Sequence, residues 1–325
     1  MFVVFDYSIS NNGYLICSGS DDNTVRVWDI NTNKQIRLFD EHVHVVTCAK
    51  FSPYHYHNVI CSSSYDKTIC FWDIKQNIQL RIFEKHKSWI SNIEFSSFNS
   101  GRYLCSVSDD KTIRLWDIKT YKSLHIFNGH EGGVWCIDFS PLQNNNNNNK
   151  INNIGIIGGN GYTICSGSFD NTIRIWDIET TKQLIIFKGH KDCLRSVKYG
   201  LNELRNIILS GSQDKSIRLW DIRSNKQIQI FNGHKNIIYT VEYSPFIINN
   251  NKFNCSSNII CSGSLDNTIR FWDIRSNKNE LYIINGDQGG NGIHCLKFLQ
   301  LQKKENNFDI NLCYGSGNGN VHILG

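Results

Sequence analysis

The chain has 325 residues, 40% apolar and 12% aromatic, which is enough to build a core and excludes general disorder. A net charge of +5 is mild for this size, and the only adjacent lysine pair is Lys303-Lys304, so nucleic acid is not the expected partner. No apolar stretch approaches the length of a membrane span, and the opening Met1-Phe-Val-Val-Phe-Asp lacks the basic start and long apolar middle of a secretion signal.

The chain opens inside an expected strand, about Phe2 to Tyr7. A stretch then begins that returns along the whole sequence, in its fullest form Ser210-Gly-Ser-Gln-Asp214-Lys-Ser-Ile-Arg-Leu-Trp220-Asp221. Its Trp-Asp ending recurs at Trp28, Trp72, Trp116, Trp176 and Trp272, and Trp28, Trp72 and Trp116 stand 44 residues apart, as do Trp176 and Trp220. A period near this value marks a repeat architecture. His42, His86, His130, His190 and His234 each lie 14 residues after the preceding repeat tryptophan.

Each unit reads as four short strands. The first follows the histidine, with apolar members four, seven and nine residues on, as in Val134, Ile137 and Phe139. The second is the Ile-Cys-Ser-Gly-Ser type, the third Thr-Ile-Arg-Ile-Trp-Asp, and the fourth Lys-Gln-Leu-Ile-Ile-Phe187, whose mixed alternation suits an outer, half-wet strand. Pro53, Pro141 and Pro245 all fall just past the end of a first strand, where a residue that cannot donate to a ladder is tolerated. The distance from histidine to its own tryptophan is 30 in three units but 46 after His130 and 38 after His234. Both insertions, about 142–160 with its run Asn144 to Asn149 and about 246–258, are expected to be disordered loops on the face opposite the histidine loops. The seventh unit, Cys313-Tyr-Gly-Ser-Gly-Asn318 to Leu324-Gly325, has leucine in place of tryptophan and stops where a fourth strand should begin.

Twelve cysteines would suggest disulfides in a secreted chain. Here Cys17, Cys61, Cys105, Cys165, Cys261 and Cys313 share one repeat position, and Cys48, Cys136 and Cys295 another. Equivalent positions in different units point the same way, which is poor geometry for pairing. They read as small buried apolar residues in a reducing, intracellular compartment, and without a Cys-x-x-Cys pair no zinc site or other metal is expected.

These residues resemble the WD-repeat β-propeller family, and the likeness covers essentially all of 1–325. It implies an all-β fold, a single seven-bladed β-propeller of four-stranded antiparallel blades, with the last blade lacking its outer strand. It further implies that histidine, serine, aspartate and tryptophan of one repeat form a buried hydrogen-bonded chain. The implied sets are His42/Ser62/Asp66/Trp72, His86/Ser106/Asp110/Trp116 and His130/Ser166/Asp170/Trp176. Two more are His190/Ser210/Asp214/Trp220 and His234/Ser262/Asp266/Trp272. The first unit keeps Ser18, Asp22 and Trp28, and the seventh, with about Gly289, Tyr314, Asn318 and Leu324, loses the set. Indole donates, hydroxyl and imidazole do both and carboxylate accepts, so the chain uses every group. Serine, histidine and aspartate together also suggest a hydrolase triad, but a set that occurs five times without a G-x-S-x-G elbow is structural. No cofactor is expected.

Trp89 and Trp135 stand outside the repeat. In the family, ligands are gripped on the histidine-loop face three and five residues after the histidine and one before the turn aspartate. Those positions supply the candidate partner-binding residues Tyr65, Trp89, Trp135, Phe169, Arg195, Tyr239 and Leu265. Tight turns favour glycine, asparagine and aspartate, while aromatic and arginine side chains dominate binding hot spots. The plainer reading is that they pack on neighbouring blades. The expected function is a non-enzymatic scaffold for a peptide or protein segment, with partners of protein type and a larger complex or longer chain as one source of the absent outer strand. The alternative rests on Trp220-Asp-Ile-Arg223 and Trp272-Asp-Ile-Arg275, which resemble the box that docks some relatives onto the adaptor of cullin-type ubiquitin ligases.

Overall fold

The computed structural model describes residues 3–10, 13–56, 58–141, 162–245, 258–276, 280–302 and 308–324. Consecutive strands pair antiparallel into seven separate sheets, six of four strands and the last of three. Inner strands begin the blades at Val3–Ser10, Val46–Phe51, Ile90–Phe95, Val134–Phe139, Leu194–Tyr199, Ile238–Tyr243 and Ile293–Gln302. Each inner strand lies against the next, and the first lies against the last, so the blades form a closed ring around an axis. The two insertions expected to be disordered lie almost wholly outside the described residues.

Period-two burial explains the layering. Second and third strands are largely covered on both faces, whereas the fourth strands of the first five blades bury little beyond a phenylalanine near their end, and Ile228 in the strand that ends past Phe231 is 52% exposed. That phenylalanine is a bolt between blades. Phe39 stacks on Trp72 of the next blade at 5.1 Å and Phe83 on Trp116 at 4.6 Å, while Phe187 meets Trp220 at a tilt at 5.3 Å. Phe127 with Trp176 and Phe231 with Trp272 complete the series at 6.0 and 5.6 Å. The cysteines before the repeat serines are buried and unpaired, and burial pushes their thiols well above the ordinary value.

The ring closes without strand exchange. Phe5 and Ile16 of the first blade pack against Cys295, Leu299 and Cys313 of the last, with Trp28 and Val321 at the edge. Among the described residues the last blade has three strands and offers no fourth-strand phenylalanine to cover Trp28, which is half-buried while its five counterparts are sealed.

Candidate functional site

In five blades the polar chain closes as the residue types require. Tryptophan Nε1 donates to the Oγ of Ser62, Ser106, Ser166, Ser210 and Ser262 at 2.7–2.9 Å. Each of these Oγ atoms meets histidine Nε2 at 2.7–2.8 Å. Histidine Nδ1 meets aspartate Oδ2 at 2.6–2.9 Å. The same Oδ2 also accepts the backbone N–H that follows the histidine, while Oδ1 takes the N–H and hydroxyl of the residue two positions on, as Asp170 does with Glu131 and Thr172. Ser62, Ser106, Ser166, Ser210 and Ser262 are all 0% exposed, so no substrate or partner reaches them. Every one of these oxygens is held between an indole and an imidazole, and none is poised as a nucleophile. They lie inside their blades, away from any surface that could serve as a site.

Blade 2 differs in one respect. Where the other blades place Arg114, Arg174 and Arg218 beside the pair, it has Cys70, 3.9 Å from His42. Burial lowers the affinity of each imidazole for a proton, and for His86, His130 and His190 the nearby arginine adds to that, so all three sit below the usual histidine value. His42 is buried too, but its contacts with Asp66 and Cys70 favour the protonated ring over that cost, and its pKa rises to about 9. In the last blade, which lacks the set, Asp287 draws two other side chains together at a more exposed position. His322 Nε2 lies 2.7 Å from Asp287 Oδ2, Tyr314 donates to Asp287 Oδ1 at 3.3 Å, and the two rings stack at 4.7 Å.

The non-repeating aromatics converge on one opening of the central channel. In the five blades that carry the histidine, the residue before the turn aspartate donates its N–H to the carbonyl three residues after the histidine, as Tyr65 does to Val45 and Phe169 to Gly133. These two positions therefore share one rim. A Cβ on Gly133 would lie 2.7 Å from Asp109 and 3.3 Å from Phe169, so glycine there makes room for that ring. Five residues after the histidine, Thr47 and Ser91 tie their hydroxyls to the next blade, at 2.7 Å to Ile90 O and 2.6 Å to Val134 O. The next three blades substitute Trp135, Arg195 and Tyr239, whose larger side chains line the same cavity as Thr47 and Ser91.

The rings form a chain. Tyr65 meets Trp89 at 4.8 Å, Trp89 meets Trp135 at 5.6 Å and Trp135 meets Phe169 at 5.4 Å. Arg195 lies over Trp135 at 4.0 Å, with Phe169 at 5.4 Å and Tyr239 at 5.8 Å. They border a cavity of about 440 Å³ that runs into the channel. Six of the seven candidates thus line one cavity, each half-buried. Leu265 does not line it; it packs over Gly292, where a Cβ would stand 2.7 Å from the Leu265 backbone. Missing from the sequence reading is His294, stacked on Tyr239 at 4.3 Å. It stands five residues after Gly289, so the same offset counted in the degenerate seventh unit finds it.

Below the mouth, the residue before the last aromatic of each inner strand contributes one charge: Asp6, Lys50, Glu94, Asp138, Lys198, Glu242 and Lys297. Lys50 pairs with Glu94, and Glu242 with Lys198 at 3.2 Å and Lys297 at 3.8 Å. Glu94 and Asp138 are the one like-charged neighbouring pair. Burial, with Glu94 nearby, pushes Asp138 up to about 6 although its Oδ2 accepts the Tyr199 N–H at 2.8 Å. Arg223 and Arg275 are exposed on the outer turns. With the Asn206 amide turned to face it, Arg223 bonds that side chain at 2.9 Å, and Arg275 bonds Asp273 at 2.8 Å. Among the described residues no group of three or more histidine, cysteine or acidic side chains could hold a metal, and no helix is long and apolar enough to cross a membrane.

The family model for the WD domain, G-beta repeat, matches residues 3–29, 33–73, 77–117, 121–177, 181–221 and 225–273. The chain belongs to the WD-repeat β-propeller family. Among curated proteins it is similar to the nuclear distribution protein PAC1 of Meyerozyma guilliermondii, 43% identical over 44 residues. That stretch is 14% of this chain and 9% of the relative, so the likeness amounts to about one WD repeat. WD-repeat propellers serve as protein-interaction scaffolds, and the recurring residues of this one build its blades.

Proposed function

We propose that this WD-repeat protein is a non-enzymatic scaffold that holds an extended segment of a partner protein across the histidine-loop mouth of its channel. The observation that carries the reading is the unbroken run of half-buried rings from Tyr65 through Trp89 and Trp135 to Phe169, bordering a cavity of about 440 Å³. Contiguous open aromatic area of this kind marks a partner site. Nothing in the repeated Ser-His-Asp sets favours catalysis, because each is consumed by its own tryptophan.

The experiment is affinity capture with mass spectrometry, comparing wild type with W89A/W135A. Loss of captured partners with a melting temperature close to wild type is expected. Trp135 also rests on the core between blades 4 and 5, so a melting temperature that collapses would show both rings to be packing residues and sink the reading. The alternative, adaptor docking through Arg223 and Arg275, draws on guanidinium groups that already bond their own blades. R223A/R275A is therefore expected to leave capture intact, and selective loss of a ligase adaptor would favour the alternative.

A further inference from the structure

The cavity wall carries four cationic side chains, Lys50, Arg195, Lys198 and Lys297. The three lysines face Glu94 or Glu242. Arg195 has no carboxylate within ion-pair reach among the described residues. With the Gln213 amide turned so that its oxygen faces the guanidinium, that oxygen accepts from Nε at 2.7 Å and from Nη2, which fixes one edge of the fork. Stacking on Trp135 fixes its plane. The Nη1 side then remains as an oriented pair of donors in a half-buried, ring-lined space, and a planar fork held this way suits a carboxylate.

Charge decides between ligand classes. Aromatic walls alone would favour a cation, but Arg195 already covers Trp135 and reaches Phe169 and Tyr239, so a second cation would meet like charge. A doubly charged phosphate has a single guanidinium to neutralise it, and the carboxylates of Asp21 and Asp109 already act on Tyr65 at the same rim. One negative charge matches one positive charge.

We propose that the mouth reads a carboxylate: its occupant is an extended partner segment presenting an aspartate or glutamate beside an apolar residue, the acid on the Nη1 side of Arg195 and the apolar side chain on Tyr65 and Trp89. This rests on the mouth being a peptide site, and the test separates the two statements. Blocked synthetic peptides Gly-Ser-X-Z-Gly-Ser, with X and Z varied over all side chains and phosphoserine included at X, are arrayed and probed with the intact protein. Wild type is expected to retain peptides with Asp or Glu at X and an apolar residue at Z. R195Q should lose the acid preference, binding those peptides about tenfold or more weakly, with its melting temperature near wild type. Should R195Q fail to fold, R195K is read instead and is expected to keep a weakened acid preference. Equal retention of Glu, Gln and Lys peptides, tighter binding of phosphoserine than of Glu, or an acid preference that survives R195Q would overturn the proposal. Retention of no peptide by wild type, or an unchanged pattern in W89A/W135A, would overturn the peptide site as well.

Discussion

Asp170 accepts four hydrogen bonds at once: from His130 at 2.8 Å, the Glu131 and Thr172 N–H groups at 3.0 Å, and the Thr172 hydroxyl at 2.6 Å. Asp170→Ala leaves those donors without their acceptor, so a loss on the order of 1–3 kcal/mol is expected in denaturant titration; unchanged stability would remove the aspartate from the network. His42 offers a sharper test. Its folded pKa is raised, so its stabilising contribution is complete below the unfolded histidine value and is lost as pH rises towards 9. NMR titration should find His42 protonated well above neutrality in wild type, and Cys70→Arg should bring it down to behave like His86. The network residues were legible because the recurring set resembles the WD-repeat family, whose blades link them, and because a donor-only indole and an acceptor-only carboxylate fit the two ends of such a chain. The Tyr314–His322–Asp287 cluster was not: Tyr314 and His322 stand at the serine and arginine positions of the repeat, but neither residue type belongs to the pattern, and Asp287 joins them only when the last blade folds.

Blade elements were legible to a similar depth. Alternation of apolar residues placed the strands, and the weaker pattern of the fourth identified it as the outer one. How blades fit together was less visible. Gly211 in a second strand looks like a small residue of a tight sheet, yet a Cβ there would approach Ile238 to 2.8 Å and Val241 to 2.9 Å on the next blade. Blades 2 and 3 hold Ser63 and Val107 at the same register, so the requirement belongs to each junction and not to the motif. Gly211→Val is expected to cost about 1–3 kcal/mol by forcing the second strand of one blade away from the inner strand of the next, read as a lowered melting temperature. A variant as stable as wild type would mean that the junction can relax.

At the scale of the ring, the charged collar could not be seen in any one repeat. Asp6, Lys50, Glu94 and their counterparts each look like the wet half of an alternating strand, and they face one another only because seven inner strands converge on an axis. Asp138 bears the consequence. Its folded pKa is raised above the unfolded value of 3.8 to about 6, so the fold favours its neutral form, and the stability this gives below pH 3.8 is lost as pH rises through 6. Asp138→Asn keeps an acceptor for the Tyr199 N–H and removes the charge. It is expected to be neutral near pH 4 and stabilising near pH 8 by on the order of 1–2 kcal/mol, allowing for water in the channel; the same effect at both pH values would refute it. The binding mouth was legible in part, because offsets from each histidine named six of its residues, whereas the isolation of Arg195 from carboxylates depends on partners no spacing reveals.

Trp28 donates to Ser18 at 3.1 Å, but among the described residues no phenylalanine covers its face and no histidine meets its serine. Asp22 of the same blade turns to Arg26, and its side chain is 36% exposed, against 6–7% for its counterparts. Five junctions of the disc are thus bolted by a phenylalanine on a tryptophan, the sixth is closed by Ile284 and Leu324, and the one that joins the last blade to the first is only latched. Amide exchange under native conditions should then start there, with Val25–Asp29 and Val321–Leu324 trading deuterium sooner than the matching strands elsewhere, so that the circle loosens first at a single known gap.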